Sequence, residues 1–270
     1  MRGPGYFSRL YKAFFTASIL GNIQYRASGV IWMIGGILEP TIFLIVWSQV
    51  AEARGGSVEG FTAGSFAAYY IVLMLVNHLT FSWIMQVFQF RIQFGGLSYE
   101  LLRPIHPIHG DISDNLAYKL VQMVVMLPAL GILVWLFEPD FKVETGVVLL
   151  AMPIIGLAFI TRFLLEWTLA LVAFWTTRVA AINQTYFAVM MFLSGRVAPL
   201  ALMPVWLQDV ATALPFYYVV AFPVEVITGR VAGTEILDRV LVLGIWFLLA
   251  LALMNFVWRR AVRNFSAVGG

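Results

Sequence analysis

The chain has 270 residues, of which 61% are hydrophobic and only 11% are charged. A soluble domain carries about 25% charged residues, so this composition excludes an ordinary soluble fold and predicts a membrane protein. The chain has no cysteine, which excludes disulfides, thiolate metal sites and a cysteine nucleophile.

The amino-terminal stretch, residues 1–28, has a helical pattern of large apolar side chains. These are Phe7, Leu10, Tyr11, Phe14 and Phe15. Arg9 and Lys12 lie between them, which is typical of a helix in the membrane interface. A helix packed against the protein's own loops would show the same pattern, and the two arrangements can coexist. We predict an N-terminal interfacial helix here.

Six later segments approach the ~20 apolar residues that a helix needs to cross a bilayer. They are residues 29–50, 66–85, 115–137, 147–175, about 180–203, and 240–258. The fourth is long enough to require tilt. The fifth is interrupted by Gly195, Arg196 and Pro199. The sequence therefore predicts an all-α polytopic membrane protein, with six transmembrane helices in a single permease domain over residues 1–270.

The distribution of charge predicts the orientation. With six spans, the two termini and the second and fourth loops share one side of the membrane. That side carries eleven Lys and Arg, with Lys119 among them, against three Asp and Glu. The other side carries five Lys and Arg, with Arg196 among them, against nine Asp and Glu. Lys and Arg accumulate on the cytoplasmic side. We therefore expect both termini in the cytoplasm.

Residues 196–238 form an apolar region on the opposite, outer side. Within it, the stretch from Pro204 to Arg230 is broken by Pro215 and Pro223. Interrupted helices at membrane depth are tolerated only where they are buried in protein or line a cavity. We predict a re-entrant hairpin that dips in from the outer face.

Signatures of catalysis are absent from the sequence. It has no HExxH, GxSxG or GxxxxGK[ST] motif, so we expect no catalytic residues and no enzyme activity in this chain. His106 and His109 are three apart in a proline-flanked loop, but a metal site normally takes three or four ligands, so we predict no metal. His78, beside Asn77, is best explained as a hydrogen-bonded buried group.

Of the ionisable residues within predicted spans, where charge is costly, three stand out. Glu39 precedes Pro40, which kinks the helix, and it has no local partner of opposite charge. Arg162 and Glu166 are four residues apart, on one helical face, and can pair with each other. A structural role and a role in a substrate path are both open. We favour a structural ion pair for Arg162 and Glu166, and a place in the path or its gate for Glu39.

The second cytoplasmic loop, residues 86–113, contains the run FGGLSYELLRPIHP at positions 94–107. This resembles the G-x-L-x-x-x-L-L-R-P-x-x-P loop of type-2 ABC exporter permeases, six-span bacterial membrane proteins encoded beside a separate ATPase. Residues 192–200 (FLSGRVAPL), 213–216 (ALPF) and the tail 258–270 resemble softer patterns of the same group. Two positions depart from it: His106 replaces a small polar residue, and Phe265 replaces a tyrosine.

The resemblance implies partners. Such a permease pairs with a second permease, identical or not, and with ABC ATPase subunits, which hold ATP and magnesium; this chain itself needs no cofactor, and nucleic acid is not a partner. A short helix in the second loop docks on the ATPase. The residues expected to form this coupling element are Gly95, Leu97, Tyr99, Leu101, Leu102, Arg103, Pro104 and Pro107. The membrane surface is a competing location for their apolar side chains.

The expected function is ATP-driven export of an amphiphilic substrate, such as a lipid, glycolipid, polysaccharide, peptide or drug, across the bacterial inner membrane by alternating access. An ion-coupled carrier or a channel without an ATPase is the alternative. The predicted substrate path or gate consists of Glu39, Phe187, Phe192, Gly195, Phe216, Tyr217 and Tyr218. The aromatic residues of this set fit an interfacial belt or a core equally well.

Overall fold

The computed structural model describes residues 5–141, 145–176 and 179–263, so the end of the tail, including Phe265, lies outside the described residues. Over these ranges the chain forms twelve α-helices and no strand. They are α1 Tyr6–Gln24, α2 Arg26–Ala53, α3 Ala63–Thr80, α4 Ile84–Gln93, α5 Gly96–Leu101, α6 Ile108–Phe137, α7 Thr145–Ala170, α8 Val179–Leu193, α9 Val205–Ala213, α10 Pro215–Val219, α11 Ala221–Ile227 and α12 Thr234–Arg263. The prediction of an all-α polytopic fold is confirmed.

Five segments of the described chain are long and apolar enough to span a membrane. They are Arg26–Ala53, Ala63–Gln93, Ile108–Phe137, Gly146–Phe174 and Thr234–Arg263. The broken fifth segment of the sequence prediction is the shorter apolar helix α8, which ends at Leu193 before a turn at Gly195 with φ +75°. The long fourth segment continues past α7 as a 3₁₀ turn, Leu171–Phe174.

Most of the predicted second loop, residues 86–113, is helical. Residues 86–93 belong to α4, and residues 108–113 open α6, so α5 and its short flanks are what remains of the loop. The helices extend further because Ile84, Met85 and Phe88 are buried in a second core beside Trp167, and this packing favours helix over loop. A break at residues 81–83 separates α4 from α3.

The amino-terminal helix α1 packs along α6, and none of its nineteen residues is buried. Tyr11 Oη lies 2.7 Å from Nδ1 of His109, and the rings of Phe7 and His109 are 5.9 Å apart. Of the two arrangements open from the sequence, the structure shows packing against the protein. A position in the membrane interface stays a prediction.

Contacts separate the bundle into two ends. At one end, the ring of His106 lies 4.5 Å from that of Trp258 near the end of α12, and α1 packs on the start of α6. At the other end, Thr62 donates to Asp140 over 3.2 Å, and Arg230 donates to the Gly60 carbonyl over 3.1 Å. The segments that share a side in the charge analysis therefore meet at the same end. We call the two the inner end and the outer end, after the sides that the charges predict.

The region predicted as a re-entrant hairpin consists of a 3₁₀ turn and the short helices α9 to α11. Pro215 begins α10 and Pro223 lies within α11, and both prolines are buried, together with nearly all of the two helices. Glu225 accepts hydrogen bonds from Tyr217 over 2.5 Å and from Arg239 of α12 over 3.0 Å. These contacts fasten the hairpin to the core near the outer end.

Candidate substrate groove and coupling surface

A groove of about 900 Å³ runs between α2, α4, α6 and α8. Its walls are largely aromatic. The aromatic members are Tyr25, Trp32, Phe81, Trp83, Phe90, Tyr118 and Phe187. On α2 the lining extends from Ser28 to Glu39, which at a rise of 1.5 Å per residue is about 16 Å. Asn22, near the end of α1, also lines the groove.

The deep tip of the groove holds an ion pair that the sequence did not indicate. Arg196 places Nη2 2.8 and 2.9 Å from the two carboxylate oxygens of Glu39. The side chains are 15% and 38% exposed, respectively, and both line the groove. Glu39 therefore does have a partner, 157 residues away. The charge analysis wrongly assigned Arg196 to the outer loops, whereas its side chain reaches the middle of α2.

A turn on residues 194–199 positions Arg196. The Gly195 carbonyl accepts a 2.9 Å hydrogen bond from Tyr69, and the Val197 carbonyl accepts bonds from Tyr70 and Trp47 at 2.8 and 2.9 Å. Three buried or partly buried aromatic donors thus fix the backbone on either side of the guanidinium.

The inner end of the groove holds a second ionic cluster. Arg91 Nη1 lies 2.5 Å from Asp111 Oδ1 and 3.3 Å from Glu100 Oε2, while Trp167 Nε1 donates to Asp111 Oδ2 over 2.9 Å. Burial raises the pKa of Glu100, and the Arg91 charge opposes that rise. Sequence analysis missed this cluster because its four members lie on four different helices.

A smaller cavity of about 250 Å³ adjoins the groove at this cluster. Arg91, Asp111 and Asp114 line both volumes, and Glu100 and Arg103 line the smaller one only. The inner end of the groove therefore faces the coupling loop across a single layer of charged side chains.

The break between α3 and α4 is held by buried polar groups. Lys119 Nζ donates to the free Phe81 carbonyl over 2.6 Å, and Ser82 Oγ donates to Glu166 over 2.7 Å. Lys119 is buried eleven residues into α6, so its assignment to the inner side by charge counting was wrong. A single lysine in an otherwise apolar segment does not indicate that its side chain will bind a backbone carbonyl at the end of another helix.

Arg162 and Glu166 form an ion pair of 2.9 Å, and both side chains are fully buried. Arg162 also donates to Asn77 over 3.0 Å and to Thr80 over 3.1 Å. Glu166 accepts a 3.2 Å hydrogen bond from Tyr186. Helices α3, α7 and α8 therefore meet around one buried ion pair.

The coupling residues divide into an exposed and a buried group. Tyr99 is 74% and Leu102 is 84% exposed, whereas Leu97 is fully buried in the second core. The expectation that Leu97 offers a docking surface was wrong, because it faces Phe88 and Trp167 and fixes α5 to the bundle. Leu101 is half-buried.

The remaining coupling residues shape the backbone or extend the exposed face. Gly95 has φ +71° and precedes α5, a conformation that favours glycine. Arg103 and Pro104 are exposed, and Pro107 is the N-cap residue immediately before α6. Phe94, which the sequence analysis did not select, is exposed next to this face.

The predicted substrate path is only partly assembled. Phe187 lines the groove with Glu39, but Tyr217 and Tyr218 are buried in the hairpin core. Tyr218 donates to the Thr212 carbonyl over 2.9 Å. Helix α10 turns both side chains toward the protein interior, and their place in the path stays a prediction. Phe216 is half-buried, and Phe192 is exposed on α8 away from the lining of the groove.

The histidines are engaged in packing and hydrogen bonds. Burial, followed by the nearby His109, lowers the pKa of His106 to about 4, so its ring is neutral between Trp167 and Trp258. His78 Nε2 lies 3.2 Å from the Lys119 carbonyl. Among the described residues, no group of three or more His, Asp or Glu has a metal-binding arrangement.

An all-helical bundle with an apolar groove and a loop that presents apolar side chains is the architecture of a membrane transport subunit. The family model described as "ABC-2 family transporter protein" matches residues 37–269, and the chain belongs to this family. The resemblance found in the sequence is thereby confirmed. The match includes Glu39, the coupling loop and the groove-lining residues of α4, α6 and α8, and it begins within α2. No curated protein matches the chain.

Proposed function

We propose that this chain is the permease subunit of an ATP-driven exporter of amphiphilic molecules in a bacterial inner membrane. It works with ATPase subunits that hold ATP and magnesium, and with a second permease. Both of its termini lie in the cytoplasm. The observation that carries the proposal is the aromatic groove whose inner end adjoins the coupling loop.

The lining of the groove suits an amphiphile. Seven aromatic side chains line the groove. Ionic groups lie at its tip, Glu39 with Arg196, and at its inner end, Arg91 with Asp111. Binding sites for small molecules are mostly apolar with a few placed polar groups. A molecule with an apolar body and a polar head would satisfy both kinds of surface.

The coupling loop has the properties expected of a surface that binds an ATPase. Tyr99 and Leu102 project from the inner end, where solvent-exposed apolar groups of this size indicate a protein contact. Leu97 is buried on the opposite face of α5, so a force on the exposed face would reach the core through a rigid contact. ATP hydrolysis by the partner would then drive the paired permeases between inward-open and outward-open states.

Leu102→Asp tests the proposal. The substitution places a charge in the proposed contact without touching the core, because Leu102 is 84% exposed. Desolvating an unpaired charge is costly, so we expect recovery of the ATPase with the purified chain to fall at least about tenfold. Membrane insertion should be unchanged, and ATP-dependent transport in vesicles should be lost.

Ser57→Asp is the matched control, because it adds the same charge to an exposed residue at the outer end. It should leave recovery of the ATPase unchanged. Normal ATPase recovery and transport with Leu102→Asp would remove α5 as the docking element. Failure of the native chain to recover any ATPase would overturn the proposed function itself.

A further inference from the structure

We propose that Arg91 is a positioning residue that links the coupling helix to the substrate groove, through one guanidinium nitrogen shared between Glu100 and Asp111. The inference rests on the proposed function, since it takes α5 as the helix that the ATPase moves. It goes further by naming the side chains through which that movement reaches the groove.

The first observation is the sharing itself. Nη1 of Arg91 lies 2.5 Å from Asp111 and 3.3 Å from Glu100. The shorter contact is to α6, which forms the groove wall, and the longer one is to α5. Because one nitrogen serves both carboxylates, strengthening one contact weakens the other. Displacement of α5 relative to α6 would therefore shift Arg91 from one carboxylate toward the other.

The second observation is the difference in burial between the carboxylates. Asp111 is buried and also accepts the indole N–H of Trp167, while the side chain of Glu100 is 27% exposed. Asp111 is thus fixed to α7, and Glu100 moves with the coupling helix. Arg91 lies between a fixed acceptor and a movable one, as a transmitting contact requires.

The third observation is where Arg91 lies. It lines the groove as well as the smaller cavity beneath the coupling loop, together with Asp111 and Asp114. A shift of the guanidinium toward Glu100 moves it out of the groove wall and widens the inner end. A shift toward Asp111 closes the same wall.

A double-mutant cycle on the permease alone tests this linkage. The chain has no cysteine of its own, so Ser28→Cys in the groove lining provides a single reporter for labelling by N-ethylmaleimide in nanodiscs. Glu100→Gln removes the movable negative charge, so the only ionic contact left to Arg91 in this cluster is the one with Asp111. We expect it to slow labelling at least about twofold, which lies within the range of couplings carried by such networks.

The same Glu100→Gln change should have no effect on labelling in an Arg91→Gln background, because the link is already broken. Arg103→Gln is the matched control background: it removes a cation from the same loop and the same small cavity, and there the effect of Glu100→Gln should persist. A merely structural role for Arg91 would lower yield or thermal stability without this non-additivity.

Asp111→Asn provides a second background if Arg91→Gln fails to fold, since an amide oxygen still accepts the Trp167 N–H while the ionic contact is lost. The effect of Glu100→Gln should vanish there too. The inference is overturned if Glu100→Gln acts equally in all backgrounds, if it has no effect in the native one, or if Arg103→Gln also abolishes it. No ATPase enters this measurement, so its failure is distinct from a failure of Leu102→Asp.

Discussion

The two ion pairs inside the membrane region differ in almost every physical respect. Arg162 and Glu166 are one helical turn apart, both are fully buried, and polar side chains of α3 and α8 surround them. Glu39 and Arg196 are 157 residues apart, are partly exposed and line a groove. Charge at membrane depth is costly in either case.

This difference indicates which of the two ion pairs can open during transport. Opening the buried pair would leave two ions in a packed core that offers them no new partner. Opening the groove pair would expose both side chains to a volume that already admits solvent or substrate. We infer that Arg162 and Glu166 stabilise the fold, and that Glu39 and Arg196 are available to transport.

The largest effect is expected from breaking the buried pair. Arg162→Gln leaves the Glu166 carboxylate without its cation, and removing one partner of a buried pair typically costs about 3–5 kcal/mol. We expect a large loss of folded protein and a lower thermal midpoint, measured by yield and by differential scanning fluorimetry in detergent. Glu166→Gln should behave in the same way, because it leaves Arg162 uncompensated.

The double variant Arg162→Gln/Glu166→Gln distinguishes a pair from two separate contacts. It contains no unpaired ion, so it should lose less stability than the sum of the single variants. A single variant that is well folded but inactive in transport would contradict the structural role.

The sequence predicts the spans better than the site. Apolar runs are local, so α2, α6 and α12 follow from hydropathy alone, and the predicted segments lie within the observed helices. Partners distant in sequence leave no such trace. Lys119 with the Phe81 carbonyl, and Glu39 with Arg196, depend on how helices pack, which no single segment encodes.

The packing of short helices is the second feature that could not be predicted from the sequence. Helix α5 has only six residues, so its helical periodicity is too brief to show which face is buried. The sequence alone therefore gives no reason to distinguish Leu97 from Leu102. The structure separates them completely. The Arg162–Glu166 contact is the opposite case, because a spacing of four within one helix is enough to expect it.

Gly195→Ala tests how firmly the groove pair is positioned. Gly195 has φ +75°, and an added Cβ would lie 2.5 Å from Tyr69 Oη and 3.0 Å from Ala221 Cβ. Left-handed strain and overpacking together should cost about 2–4 kcal/mol. Gly233→Ala is the matched control: its φ is +61° with no atom within 4 Å of the added Cβ, so strain alone applies, about 1–2 kcal/mol.

Removal of the opposing hydroxyl sharpens this test. Tyr69→Phe deletes the atom nearest the new Cβ, although it also deletes the hydrogen bond to the Gly195 carbonyl. Gly195→Ala should therefore lower the thermal midpoint less in the Tyr69→Phe background than in the native chain. Equal decreases in thermal midpoint for Gly195→Ala and Gly233→Ala would show that the side chains around the turn move aside at little cost.

The smallest effect on stability, with a large effect on transport, is expected from Glu39→Gln. The amide keeps the shape of the carboxylate and can still accept from Arg196, and the groove leaves both side chains partly exposed. The free energy of unfolding should fall by only about 1–2 kcal/mol. ATP-dependent export of a fluorescent phospholipid analogue from reconstituted vesicles should fall by at least about tenfold, if the pair contributes one charge-assisted contact to the transport cycle.

Glu52→Gln is the matched control for Glu39→Gln, since it makes the same change on the same helix, thirteen residues on, at an exposed position outside the groove lining. It should alter neither stability nor export. The two ion pairs then give opposite signatures: variants of Arg162 and Glu166 lose protein, and Glu39→Gln loses activity in protein that is folded. Full export by Glu39→Gln would mean that the charge is not used in transport. A collapse of its yield would instead give Glu39 the structural role of the buried pair. A partly exposed carboxylate should tolerate neutralisation, whereas a carboxylate on which the fold depends should not.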